Sequence, residues 1–178
     1  MKIRKLYRIE SAHIVKNAVS QRCSHSYHGH SGVIEVFFKS WSLDNAGMVY
    51  DFGAFKKTIG SFIDMFDHSI HMWENAPEEE KEFFKSHNLR WIELPCNPTA
   101  ENYSVLFRDC INEILHKSTF NNGEFGVICS GVRYHETATG YAESDEEDKV
   151  QFSINDLTFS QATLDEASVE LKEMFLKW

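Results

Sequence analysis

His28, His30, Ile34, Val36 and Phe38 all fall at even positions, and no other run in the chain limits its fold so sharply. Alternate side chains of an extended strand leave on opposite faces, so these five project together, two imidazoles beside three apolar groups. Gly29 between the histidines lets a neighbouring backbone or a ligand come close. With His13 and Cys23 upstream, the pattern is that of a metal site. Neutral imidazole suits Zn2+, and three histidines with a vacant fourth position are the arrangement of a zinc that handles a water or a substrate oxygen. Cys23 could instead close a structural site as a fourth ligand, or stand outside the coordination shell and act as an acid or base.

The flanking residues supply the remaining elements. Ile3, Tyr7 and Ile9 alternate with Arg4, Arg8 and Glu10, which predicts a first strand running towards His13. After turn residues at 42–47, Asp51 can cap a helix with Phe52, Phe55, Ile59, Phe62, Ile63 and Phe66 on one face. Asn97-Pro98-Thr99 opens a second helix, with an apolar stripe of Tyr103, Leu106, Phe107, Cys110, Ile111, Ile114 and Leu115, and Asn121-Asn122-Gly123 ends it. Phe125 to Thr137 reads as a third strand, in which Ile128, Val132, Tyr134 and Glu136 share a face. A fourth strand includes Gly140 to Glu143 or resumes at Val150 to Phe152, with the acidic run Asp145 to Asp148 as a loop. The order predicts an α+β fold, a four-stranded antiparallel sheet with two helices on one face, ββααββ. Residues 72–94, with Glu78-Glu79-Glu80 and Trp91, would add a small surface helix and a short extended piece. Helical spacing in Leu164, Ala167, Leu171 and Phe175 predicts a C-terminal helical extension within 144–178. The 178 residues are expected to form a single domain.

A formal charge of −9 excludes a broad nucleic-acid surface, which would require concentrated Lys and Arg. The first ten residues lack the apolar core of a signal peptide, and no run approaches the length of a membrane span. Four cysteines without a CxxC pair predict reduced thiols and a cytoplasmic protein, with Cys96, Cys110 and Cys129 as small core residues. His71, His87, His116 and His135 have no evident partner and read as surface or packing residues.

From about Tyr7 to Tyr141 a series of short motifs occurs in order: Ser11-Ala12-His13, Cys23, His28-Gly29-His30, Met48-Val49-Tyr50-Asp51-Phe52, Asp67-His68, Asn97-Pro98-Thr99-Ala100-Glu101-Asn102 and Glu136-Thr137. Their combination resembles the 6-pyruvoyl-tetrahydropterin synthase and 6-carboxytetrahydropterin synthase family, which has the tunnelling fold. The resemblance implies that His13, His28 and His30 hold zinc, that Cys23 is the catalytic thiol and that Asp67 and His68 complete a proton-transfer group. Glu136 would anchor the pterin ring, with Thr99 also in the substrate site. The implied reaction is that of a zinc-dependent lyase converting 7,8-dihydroneopterin triphosphate to 6-carboxy-5,6,7,8-tetrahydropterin, with release of acetaldehyde and triphosphate, on the route to 7-deazapurines such as queuosine. The pyruvoyl-forming reaction is the alternative, and a non-catalytic zinc- and pterin-binding oligomeric scaffold is an alternative of another class. Four residues, Ser24 to Tyr27, separate Cys23 from His28, against three in carboxy-forming and five in pyruvoyl-forming members, so this spacing does not set the subtype.

The family also implies a homo-oligomer, hexamer or tetramer, with active sites between subunits. Exposed sheet edges agree with that. Arg8, Lys16 and Arg22 are candidates for the triphosphate, and His25 is a further ligand or proton carrier within the Cys23 loop. Plainer readings also exist: Asp67-His68 could cap the end of a helix, and Glu136 could pair with Arg133 or Lys149.

Overall fold

The computed structural model describes residues 1–175. In chain order its strands are β1 (Lys2–His13), β2 (His28–Lys39), β3 (Ser69–Trp73), β4 (Trp91–Leu94), β5 (Ile128–Thr137), β6 (Gly140–Asp145) and β7 (Thr158–Phe159). The α-helices are α1 (Gln21–Ser24), α2 (Ser61–Asp64), α3 (Glu78–His87), α4 (Ala100–Lys117), α5 (Gln161–Glu166) and α6 (Val169–Met174).

β1 and β2 pair antiparallel over their whole length, from Lys2 opposite Lys39 to His13 opposite His28. This register puts Ile9, Ile34, Val36 and Phe38 on one buried face, and a slip of one residue would turn that row to solvent. β5 joins the far side of β2 and β6 lies outside β5, both antiparallel, so the expected four strands are present in the order β6-β5-β2-β1. The sheet does not stop there. β3, β4 and β7 continue it past β1 to make a seven-stranded mixed sheet, with β1·β3 and β3·β4 parallel. The added strands are only five, four and two residues long, too short for an alternation to stand out in the sequence. Residues 72–94 thus supply the expected small helix, α3, but their extended piece, β4, is an integral strand.

The helical layer also departs from expectation in detail. The 52–66 stretch is not one regular helix: Lys56–Gly60 forms a π-helical turn before α2. Gly60 donates to the Phe55 carbonyl, 2.7 Å, and the wider turn still buries Phe55, Ile59, Phe62, Ile63 and Phe66. Phe52 is exposed, and the Asp51 carboxylate accepts from the Gly53 N–H, 2.7 Å, in a local turn rather than capping a helix. α4 begins as read, with Thr99 Oγ1 accepting from the Asn102 N–H, 3.2 Å, and it buries its whole apolar stripe. It ends at Lys117, before Asn121. Of the two positions for a fourth strand the first is occupied. Residues 151–152 instead lie against α4, their N–H groups donating to the buried Asp109 carboxylate at 2.9 and 3.2 Å. The C-terminal extension is two short helices, because Ser168 interrupts it and caps α6 through the Leu171 N–H, 3.1 Å. Leu171 and Phe175 enter the core, as do Cys110 and Cys129, whereas Cys96 is half-buried.

Candidate active site

Strand pairing assembles the histidines. His13 lies opposite His28, and His30 opposite Ser11, so all three rings leave the same face at the end of the β1–β2 pair. Ring centroids are 4.8 Å apart for His13–His28, 5.1 Å for His13–His30 and 4.9 Å for His28–His30, each pair edge to face. One nitrogen from each ring lies within 4.8 Å of the others. A side chain at Gly29 would put its Cβ 3.2 Å from the Ser11 carbonyl, so the glycine is what lets β1 come so close between the two histidines.

The donor set fits a divalent metal ion. Nε2 of His13 and Nε2 of His30 are buried with no hydrogen-bond partner, a costly condition that an ion accepting both lone pairs would remove. His28 donates from Nδ1 to the Ser26 carbonyl, 3.0 Å, which leaves its Nε2 lone pair free for coordination. Burial pushes His13 down to about 3, with the His28 and His30 rings adding to the effect, and a hydrogen bond to the Pro98 backbone opposes it. Burial also lowers His30, against the pull of Glu136. His13 and His30 are thereby held as neutral imidazoles, the form that ligates metals. Glu136 Oε1 lies 3.4 Å from His13 Nε2 and 3.8 Å from His30 Nε2, too long for hydrogen bonds but aimed at the same point.

Asp67 and His68 approach from the turn before β3. Asp67 Oδ1 accepts from the Glu10 N–H, 2.6 Å, and Oδ2 accepts from His68 Nδ1, 2.8 Å, while the His68 N–H donates to the Glu10 carbonyl, 2.7 Å. His68 has φ 51°, a left-handed backbone that non-glycine residues rarely hold. Its side chain is 75% exposed, so its Nε2 is accessible from a cavity of about 490 Å3 that His30, His68, Asn88 and Arg90 help to line. A second cavity, about 590 Å3, lies between Arg8, His30, Glu35, His135, Glu136 and Thr137. His30 lines both. A further cavity, about 880 Å3, lies between α4, β5 and the 146–155 segment and is lined by none of these groups.

Residues 2–147 match the family model described as 6-pyruvoyl tetrahydropterin synthase. The chain belongs to that family. A 6-carboxy-5,6,7,8-tetrahydropterin synthase from Helicobacter pylori strain J99 is 41% identical over 144 residues, 81% of this chain and 72% of the relative. Another from Rickettsia bellii is 31% identical over 117 residues, 65% of this chain and 80% of the relative. Among solved structures, Caenorhabditis elegans 6-pyruvoyl tetrahydropterin synthase aligns with TM-score 0.54 at 22% identity, over 83% of this chain and 96% of that one. An uncharacterized protein from Wolinella succinogenes gives 0.61 at 19%, over 83% and 98%. These likenesses show a shared fold, and β7, α5 and α6 lie beyond the stretch that the 6-pyruvoyl tetrahydropterin synthase family model covers.

The other candidate residues of this family member sort by their surroundings. Cys23 sits half-buried in α1, its carbonyl accepting from the Val15 N–H at 2.9 Å, and its thiol is not part of the three-imidazole cluster. Burial pushes the Cys96 and Cys129 thiols up to about 12 and raises Cys110 as well, which holds all three protonated. His25 is exposed, with Nδ1 2.8 Å from Ser24 Oγ, and it too is outside the cluster. Thr99 spends its side chain on capping α4 and lines neither cavity beside the triad. Arg8 lines the second cavity, Arg22 is exposed on α1, and Lys16 is paired with Glu80 at 2.5 Å. Arg133 pairs with Glu143, 2.6 Å, rather than with Glu136.

Three histidines read as unpartnered are partnered. His87 Nδ1 lies 2.8 Å from the Phe83 carbonyl, and its ring stacks on Phe83 at 4.4 Å. His135 Nε2 lies 2.6 Å from Glu35. His71 is fully buried beside the triad, with Nε2 3.0 Å from the Phe66 carbonyl and 2.9 Å from Ser69 Oγ, and Nδ1 2.5 Å from the Tyr103 hydroxyl. A carbonyl only accepts, so Nε2 carries the proton and Nδ1 accepts from Tyr103. Among the described residues no helix is long and apolar enough to cross a membrane.

Proposed function

We propose that the protein is a zinc-dependent 6-carboxy-5,6,7,8-tetrahydropterin synthase that converts 7,8-dihydroneopterin triphosphate and one water, with release of acetaldehyde and triphosphate. The observation that carries this reading is the trio of converging imidazoles with two unsatisfied buried nitrogens, in a chain 41% identical to a relative of that name. His13, His28 and His30 would hold the ion. When bound, zinc supplies Lewis acidity towards the oxygens of the substrate side chain.

The chain's own groups divide the remaining work. The Glu136 carboxylate accepts from the pterin ring N–H and the exocyclic amine side by side, a paired geometry that orients the ring beside the triad. Cys23, whose thiol is outside the imidazole cluster, takes the proton from the side-chain carbon as thiolate. Asp67 fixes the orientation of the His68 ring through Nδ1, which leaves Nε2 to exchange a proton on the other side of the substrate. The four free thiols suit a cytoplasmic site of action.

A homo-oligomer is part of this reading. β6 and β7 each have a strand partner on one side only, and β3 covers the outer edge of β1 only at Ser11–His13, so the sheet keeps open edges among the described residues. Edge-to-edge closure into a hexamer or tetramer removes that liability and brings a neighbour's residues to the two cavities. The test is elemental analysis together with product identification by mass spectrometry on 7,8-dihydroneopterin triphosphate. One zinc per chain and 6-carboxytetrahydropterin are expected. A metal-free active protein, or a pyruvoyl product, would overturn the proposal.

A further inference from the structure

We infer that the segment joining β3 to β4 is a positioning element for the active site, with Glu80 holding the Cys23 loop and Arg90 holding the Asp67–His68 turn. The inference rests on the roles proposed above for those two arms. Glu80, on α3, reaches both flanks of the Cys23 loop. Its Oε2 accepts from Lys16 Nζ, 2.5 Å, and its Oε1 accepts from the Tyr27 hydroxyl, 3.0 Å. The Tyr27 ring also packs on Phe84 of α3 at a centroid distance of 3.9 Å. Lys16 and Tyr27 bracket the loop, and a single carboxylate ties the bracket shut. Asn97 pins the same end of the loop by its backbone, accepting from the Lys16 N–H at 3.0 Å and donating to the Lys16 carbonyl at 2.6 Å.

Arg90 does the corresponding work at the second arm. Nε donates to the Asp67 carbonyl, 3.0 Å, Nη2 donates to the Asp64 carbonyl, 2.7 Å, and Nη1 pairs with Glu166 of α5. The two carbonyls lie at the end of α2, where a cation also meets the negative pole of the helix. The turn that keeps His68 in its left-handed conformation is thus gripped from one side by the Glu10 backbone and from the other by the Arg90 guanidinium. Arg90 itself lines the cavity that His68 faces.

Energetics separate positioning from mere stabilisation. A part-exposed ion pair such as Lys16–Glu80 contributes only about 0–1 kcal/mol to stability, whereas a displacement of about 1 Å in a reacting group can cost about 100-fold in rate. The zinc-loaded full chain is therefore compared with Glu80→Ala, Arg90→Ala and Arg90→Lys. Each variant should lose about 10- to 100-fold in kcat, with KM within about 3-fold and with zinc content unchanged. Lysine cannot span both carbonyls, so Arg90→Lys should not rescue. Peptide-resolved alkylation of Cys23 by iodoacetamide should change several-fold in Glu80→Ala and stay at the wild-type rate in the Arg90 variants. Unchanged kcat in all three, or losses that only follow thermal melting, would overturn the inference. A wild type without turnover defeats the proposed function instead, and the alkylation pattern then decides the inference by itself.

Discussion

A buried ring nitrogen without a partner costs about 1–3 kcal/mol, and His13 and His30 each carry one, side by side. Under the proposed function metal capture would remove that cost, and the neighbouring groups would have separable tasks. Cys23→Ala should abolish turnover, by at least about 100-fold, and leave zinc content and melting temperature at wild-type values. Loss of zinc along with the thiol would make Cys23 a ligand instead. Glu136→Gln keeps the shape but can no longer accept two hydrogen bonds as an anion, so KM should rise by roughly 10- to 100-fold, the worth of one to two charge-assisted bonds. Steady-state kinetics at matched zinc occupancy measure it. His28 and His30 were legible because a strand has a side-chain period of two and both share the parity of Ile34, Val36 and Phe38. His71 was not, since a five-residue strand offers too little alternation to show that its ring points into the core.

At the scale of elements, β3 carries that ring into the middle of the molecule and makes acid stability depend on it. Burial pushes His71 down to about 4, while in the unfolded chain it titrates near its usual value of about 6.5. Above that value both states are neutral and the contribution is complete. As pH falls from about 6.5 towards 4, the unfolded chain takes up a proton that the folded protein refuses, and stability falls by about 3 kcal/mol. Urea midpoints at pH 7.5 and 4.5 should show this loss in wild type and a smaller one in His71→Asn. The same elements mark where sequence reading reached its limit. Phe55, Ile59, Phe62, Ile63 and Phe66 are equally compatible with a regular helix and with a π turn, because every one of them points inward either way. α4 was legible because Thr99 caps it and its stripe runs unbroken. β3 and β4 pair in parallel inside the sheet but run only five and four residues, too few for a period to stand out.

For the whole molecule, the ββααββ order was legible from two alternating runs, two apolar stripes and two further strands, and it survives as the β6-β5-β2-β1 part of the sheet. Its continuation to seven strands depends on pairings between distant segments, such as β4 with β7, that no local pattern announces. Light scattering should give a mass several times the 20.6 kDa of one chain. A monomer at every concentration would contradict edge-to-edge assembly. β1 has no strand partner on its outer side along residues 2–9, and it has a tip that bears His13. In the proposed assembly, one strand would therefore belong at once to the seam between copies and to the ion. Where two binding events share a rigid part, their free energies are coupled and the coupling is mutual: whatever the ion adds to the affinity of copy for copy, association returns to the affinity for the ion.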